Sequence, residues 1–105
     1  MSIPIITGFQ WVPEFARGHV RDTRARWAFE EVGLPYQVHL VDFEEVKSAR
    51  HRHFQPFGQI PTYSDGDIEI FESGAIAIHI AEQAPGLLPA GKAGRIRAIQ
   101  WVIAA

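Results

Sequence analysis

Residues 55–75, which read QPFGQIPTYSDGDIEIFESGA, decide the fold expected for this chain. Two short apolar strands are predicted inside this stretch, at residues 60–63 and 68–71. Between them stands Asp65-Gly66, a strong hairpin signal because these residue types tolerate the positive φ that a tight turn requires. The stretch therefore predicts an antiparallel pair of strands.

Upstream of that hairpin the chain reads as strand, helix, strand and helix. Residues 3–9 form an apolar run typical of a buried strand, and residues 18–32 carry apolar side chains at helical spacing before Gly33. A second strand is predicted at residues 36–41, followed by a weakly helical connector at residues 44–54. A parallel crossover of this kind is covered by its helix, so we expect an α/β domain.

Downstream of the hairpin two further helices are predicted. The first opens at Glu72 and ends before Pro85, and the second covers residues 93–105. Together these elements predict a four-stranded mixed sheet with helices on its faces. Trp27 and Trp101 are interpreted as buried packing residues, and the alternative is that they face a partner.

Composition excludes several classes of protein. A chain of 105 residues is one domain in size, and 47% hydrophobic residues with a net charge of -2 are typical of a globular protein without a nucleic-acid partner. No apolar run approaches the ~20 residues that cross a bilayer, so no membrane partner is indicated, and the expected compartment is the cytoplasm. The absence of cysteine excludes a protein-borne reactive thiol, as in a thiol oxidoreductase.

Pro61 stands at the very start of a predicted strand, where a cis peptide bond and a missing N–H are both tolerated. A cis bond would turn the backbone of Ile60 outward, so that its N–H and C=O could pair with an extended peptide. The alternative is a plain turn before an edge strand.

Glu72 and Ser73 stand where a strand ends and a helix begins. The N–H and hydroxyl of Ser73 suit a carboxylate there, and Glu72 could accept an ammonium group, so the pair could hold an amino-acid head group. The alternative is that Ser73 is a simple helix N-cap.

Together these motifs resemble the N-terminal domain of glutathione S-transferases. The resemblance rests on Gln55 to Pro61, on the Asp-Gly hairpin, on Phe71 to Ile76, and on the helix-to-strand segment 26–36. It implies a thioredoxin-like βαβαββα domain at residues 1–88. Residues 89–105 would then be a linker and the first helix of an all-helical domain that is missing or truncated, so that the chain is a fragment or a minimal form.

The same resemblance implies that glutathione is bound as a co-substrate, without a metal. Pro61 would be cis, and the Ile60 backbone would pair with the cysteinyl part of glutathione. Glu72 and Ser73 would hold the γ-glutamyl head. Lys47 matches a position near the glycyl carboxylate, which Gln59 would help to orient, although a solvated surface lysine is the alternative.

The group that would activate the glutathione thiol is less evident. Members of the family use Tyr, Ser or Cys near the start of the first helix, and the aligned positions here hold His19 and Pro13. His19 could donate a hydrogen bond to a thiolate, and Arg17 or Arg21 could stabilise it by charge. Thr23 is the remaining hydroxyl.

Two alternatives concern the basic residues. Arg17, His19, Arg21 and Arg24 could simply form a solvated basic face. His51 and His53, two residues apart in a helical connector, would diverge by about 200°, so no metal site is predicted.

Two functions remain open. The first is a glutathione transferase domain that positions the thiolate for attack on a small electrophile, with His19 and Arg17 as candidate catalytic residues. The second is a non-catalytic glutathione-binding or protein-interaction module with the same fold. The apolar stripe of the last helix predicts self-association, with a homodimer as the expected form.

Overall fold

A computed structural model describes residues 3–105 of the chain. Its strands are β1 (Ile5–Phe9), β2 (Gln37–Val41), β3 (Thr62–Ser64) and β4 (Glu69–Phe71). Its α-helices are α1 (Asp22–Val32), α2 (Ala49–Phe54), α3 (Ser73–Gln83) and α4 (Lys92–Ala104), and short 3-10 turns cover Glu14–Ala16 and Glu45–Lys47. Met1 and Ser2, with which the predicted first domain begins, lie outside the described residues.

The strands form one mixed sheet in the order β2-β1-β3-β4. β1 pairs in parallel with β2, where Ile6 lies opposite Val38, and antiparallel with β3, where Ile6 lies opposite Tyr63. β4 completes the hairpin beside β3. The predicted βαβαββα order and the four-stranded mixed sheet are confirmed.

The main core lies between one face of this sheet and helices α1 and α3. Ile6, Phe29, Ile76 and Ile80 are almost completely buried there. The ring of Phe29 stacks on Tyr36 with its centroid 4.6 Å away. Because successive strand residues point to opposite faces, the neighbours of Ile6 on β1 face the other side of the sheet, where α2 lies.

Helix α1 begins later than its sequence pattern predicts. The apolar stripe suggested a start near Gly18, but the first helical residue is Asp22. Gly18 has a φ of 78°, a left-handed conformation that α-helical backbone does not adopt, so the chain turns there before the helix starts. The helix ends as predicted at Gly33, whose φ is 72° and whose N–H donates to the Phe29 carbonyl.

The prediction that Trp27 and Trp101 are buried is wrong. Trp27 is 54% exposed and Trp101 is 74% exposed. Trp27 lies two residues after the buried Ala25, about 200° around the helix, and so faces away from the sheet. Trp101 belongs to α4, a helix that buries none of its residues.

Asp65 organises the hairpin turn between β3 and β4. Its carboxylate accepts hydrogen bonds from the N–H groups of Ile68 and Asp67, both 2.9 Å long, and from the Tyr63 hydroxyl at 2.8 Å. These donors favour the ionised form and hold the pKa of Asp65 below its usual range. The predicted Asp-Gly hairpin is confirmed, and it leads through β4 to the start of α3.

Within residues 3–105, no helix is both long and apolar enough to span a membrane.

Candidate functional site

Two adjoining cavities form a cleft at the end of the sheet where β1 stops, between the start of α1 and the start of α3. The larger has a volume of about 490 Å³ and is lined by His19 and Lys47 among others. The smaller, of about 220 Å³, is lined by Glu72 and Ser73. The two cavities share three lining residues: Arg21, Gln59 and Ile60.

The chain beside this cleft has the geometry that the resemblance implies. The Ile60–Pro61 peptide bond is cis. Ile60 is in neither strand of the hairpin, and its N–H and C=O form no hydrogen bond with any of residues 3–105. Backbone groups without an internal partner at the wall of a cavity are available to an extended ligand.

The loop that carries Ile60 is held by two buried side chains that sequence reasoning missed. The Gln55 side-chain oxygen accepts hydrogen bonds from the N–H groups of Phe57, at 2.7 Å, and Gln59, at 3.3 Å. His51 Nε2 lies 2.6 Å from the Gln59 carbonyl oxygen, and since a carbonyl only accepts, this nitrogen carries the proton. In the sequence, His51 drew attention only because it lies two residues from His53, a pair for which no metal site is predicted.

Lys47 lines the larger cavity but not the smaller one. Its Nζ donates to the Gly58 carbonyl oxygen at 2.8 Å, which draws the ammonium group towards the loop. An ammonium group has three donors, so two remain for a ligand. The bond to Gly58 therefore orients the Lys47 side chain. The residue is nevertheless exposed, as expected for a surface lysine.

At the other end of the cleft, Ser73 is not an N-cap. The N-cap of α3 is Glu72, and Ser73 is the first helical residue. Arg24 Nη1 donates to Ser73 Oγ at 2.9 Å, while Arg24 Nη2 donates to the Val102 carbonyl at 2.5 Å. Because Ser73 Oγ accepts from Arg24, its own O–H is left to donate into the smaller cavity. Arg24 is thus half-buried and links three helices, so the alternative of a solvated basic face does not hold for this residue.

Glu72 has an unusual backbone. Its φ is 77°, the one positive φ among the non-glycine residues of 3–105. This conformation costs about 1–3 kcal/mol in a residue with a side chain, and such strain is concentrated at functional sites. The exposed Glu72 carboxylate lines the smaller cavity beside the buried Ser73.

The two candidate catalytic residues are placed differently. His19 is exposed and lines the larger cavity, whereas Arg17 is exposed and lines neither cavity. Arg21, which sequence reasoning considered beside them, lines both. The aligned Pro13 lines neither.

A separate cavity of about 140 Å³ lies between α2 and the other face of the sheet. His51 lines it with His39, whose Nε2 is 3.2 Å from a Glu45 carboxylate oxygen. In the described part of the chain no three His, Asp or Glu side chains are grouped so as to hold a metal ion.

Comparison with known proteins identifies the family. The family model described as the N-terminal domain of glutathione S-transferase matches residues 15–82. The chain belongs to the glutathione S-transferase family. The match covers α1 to α3 and includes Lys47 and the cis-proline loop.

Three relatives illustrate the likeness. Glutathione S-transferase F12 of Arabidopsis thaliana is 40% identical over 86 residues, which are 74% of this chain and 39% of that protein. The theta class glutathione S-transferase of Xanthomonas axonopodis pv. citri, solved with glutathione bound, is 30% identical with a TM-score of 0.76 over 96% of this chain and 47% of that one. A glutathione transferase family member from Pseudomonas fluorescens, solved with two glutathione bound, is 26% identical with a TM-score of 0.79 over 97% and 45%.

These comparisons confirm the thioredoxin-like fold of the family. The chain spans less than half the length of each of these relatives.

Proposed function

We propose that this domain binds glutathione in the cleft and presents its thiolate to a small electrophile, as part of a glutathione transferase. The observation that carries the proposal is the order of free polar groups along one continuous cleft. A cation lies at one end, unpaired backbone groups lie in the middle, and a hydroxyl beside a carboxylate lies at the other end. Glutathione has complementary groups in the same order: a glycyl carboxylate, a central peptide and an amino-acid head.

The glycyl end of glutathione is assigned to the larger cavity. Two donors of Lys47 remain after its bond to Gly58 and can bind a carboxylate, an interaction strengthened by the opposite charges. The Gln59 side chain lines the same cavity and is free to orient the carboxylate, because only the backbone of Gln59 takes part in the loop.

The cysteinyl residue is assigned to Ile60. An extended peptide placed along the cleft can donate to the Ile60 carbonyl and accept from its N–H, as an added strand would. Pro61 has no N–H and lies buried behind this position, so it does not compete for the ligand.

The γ-glutamyl head is assigned to the smaller cavity. The free O–H of Ser73 and the first N–H groups of α3 favour its carboxylate, and the carboxylate of Glu72 favours its ammonium group. Both charges of an amino acid are then matched within one cavity.

In the proposed reaction the glutathione thiol first loses its proton to water. The sulfur then attacks an electrophilic carbon, forming a carbon–sulfur bond as the leaving group departs with its electron pair. His19 is the candidate donor to the thiolate because it lines the larger cavity. Arg17 lies outside both cavities, and its catalytic role stays a prediction.

The second candidate function is a glutathione-binding or interaction module without catalysis. It is favoured by one observation: among residues 3–35, those that line the cleft carry neither a hydroxyl nor a thiol, being Phe9, His19, Val20 and Arg21. In this alternative the thiol would stay protonated when bound.

One titration separates the two functions. Glutathione is added to the protein while heat is recorded, and the thiolate ultraviolet absorbance of the complex is followed against pH. A transferase is expected to lower the thiol pKa from its free value near ~8.5 by about one unit or more. Binding with an unchanged thiol pKa would favour the module, and the absence of binding would refute both functions.

We further propose that the domain self-associates as a homodimer through exposed apolar side chains of α4. Ile96, Trp101 and Ile103 lie on this helix and are largely exposed. The double substitution Trp101→Lys with Ile103→Lys is expected to shift the protein to monomer in sedimentation equilibrium, because it charges the apolar surface. Arg97→Gln is the control on the same helix, and a wild-type protein that stays monomeric at high concentration would contradict the proposal.

The domain boundary also remains a proposal, with a glutathione-binding domain at residues 1–88 and a second unit at residues 89–105. Its support is that α4 buries none of its residues against the rest of the chain. The cytoplasmic location stays a prediction.

A further inference from the structure

Arg21 holds a position in the cleft that no other basic residue shares within residues 3–105. It precedes α1 directly, as the N-cap residue, and its exposed side chain lines both the larger and the smaller cavity. Lys47 lines the larger cavity alone. A ligand that spans the two cavities must therefore pass Arg21 near its middle.

The two arginines of α1 are already engaged. Arg24 donates to Ser73 and Val102, and Arg26 forms a 2.9 Å ion pair with Asp22. The side chain of Arg21, in contrast, forms no salt bridge or hydrogen bond with any described residue. Its charge is available to a ligand in the cleft.

Ile60, like Arg21, lines both cavities. If glutathione binds as proposed above, the cysteinyl residue lies at Ile60, and its side chain is placed between the two cavities. The sulfur then lies where the two cavities meet, which Arg21 lines, whereas Lys47 lines only the larger cavity at the glycyl end. The guanidinium of Arg21 brings a delocalised positive charge to this position.

We infer that Arg21 is a catalytic residue of this domain, and that its guanidinium stabilises the glutathione thiolate in place of the hydroxyl or thiol that the cleft-lining residues among 3–35 do not carry. This inference rests on the proposed function. Arg21 supplies the compensating positive charge, and the thiol proton leaves to water. His19 can donate a hydrogen bond to the same sulfur without replacing that charge.

The test compares Arg21→Gln and Arg21→Lys with wild type, using two ligands. Glutathione reports on thiolate formation, whereas S-methylglutathione has no thiol proton to lose. In Arg21→Gln the bound thiol pKa is expected to rise by about one unit, so that the thiolate fraction below that pKa falls about tenfold. Affinity for S-methylglutathione should change by less than about twofold. Arg21→Lys should restore most of the thiolate because it keeps the charge.

Arg97→Gln is the matched control, because it removes one exposed arginine from α4 and lines neither cavity. Its thiolate titration should equal that of wild type. Failure of wild type to bind glutathione would refute the proposed function itself. The inference alone is overturned if glutathione binds but Arg21→Gln leaves its thiol titration unchanged. It is also overturned if Arg21→Gln weakens S-methylglutathione as much as glutathione, since Arg21 would then act on ligand binding and not on the thiolate.

Discussion

Glu72→Gln is expected to reduce glutathione affinity by about tenfold to a hundredfold while leaving the stability of the domain unchanged. The substitution keeps the shape of the side chain but removes the charge that would bind the γ-glutamyl ammonium. A hydrogen bond to a charged group contributes about 1.5–3 kcal/mol, and 1.4 kcal/mol corresponds to a factor of ten in affinity. Calorimetric titration with glutathione measures the loss.

Glu72→Gly separates binding from backbone strain. Glycine adopts a positive φ without a steric penalty, so this variant relieves the conformation that Glu72 holds at a φ of 77°. We expect the free energy of unfolding to rise by about 1 kcal/mol although glutathione affinity falls as in Glu72→Gln. Urea denaturation measures the first effect.

Glu69→Gln is the control for both Glu72 variants, because Glu69 lies on β4, is exposed and lines neither cavity. Glutathione affinity equal to wild type in Glu72→Gln would remove Glu72 from the proposed site. A less stable Glu72→Gly would show that the positive φ is not a source of strain.

Phe29→Ala is expected to destabilise the domain by about 3–5 kcal/mol. Phe29 is 1% exposed and lies between Tyr36 and Tyr63, with ring centroids at 4.6 Å and 6.4 Å. Removing its ring opens a cavity that α1 and the sheet cannot close. Since natural domains are stable by only about 5–15 kcal/mol, the loss is a large part of the total, and denaturant unfolding measures it.

Phe15→Ala is the matched control, because the same ring is removed from a side chain that is 84% exposed. Its effect should stay within about 0.5 kcal/mol. A Phe29→Ala variant that loses less than about 1 kcal/mol would contradict the core described above.

The sequence predicted the secondary-structure elements well where a short segment determines the local backbone conformation without help from distant residues. Asp65-Gly66 predicted its hairpin because the turn is built from the backbone and from the Asp65 carboxylate itself. Gly33 predicted the end of α1 for the same kind of reason, since a left-handed residue stops a helix locally. The start of α1 was missed because the helical pattern was extended back to Gly18, where the backbone turns.

The candidate site was predicted in part. The motif positions Lys47, Gln59, Ile60, Glu72 and Ser73 all line one cleft, as the resemblance implied. Arg17 does not line it, because spacing along a loop does not say which side chains face inward. The two tryptophans were misplaced for a related reason: an aromatic residue in a helix is buried only if its face meets another element.

The sequence by itself determined the order of strands and helices, the hairpin and the family, because each depends on local backbone preferences or on a contiguous motif. Only the tertiary structure decided what the basic residues near α1 do. Arg24 reaches Ser73 and Val102 across 49 and 78 residues of chain, while Arg21 remains free beside Ile60. Two arginines three residues apart therefore take different roles. Arg24 is bound by groups of α3 and α4, whereas Arg21 stays open to the cleft.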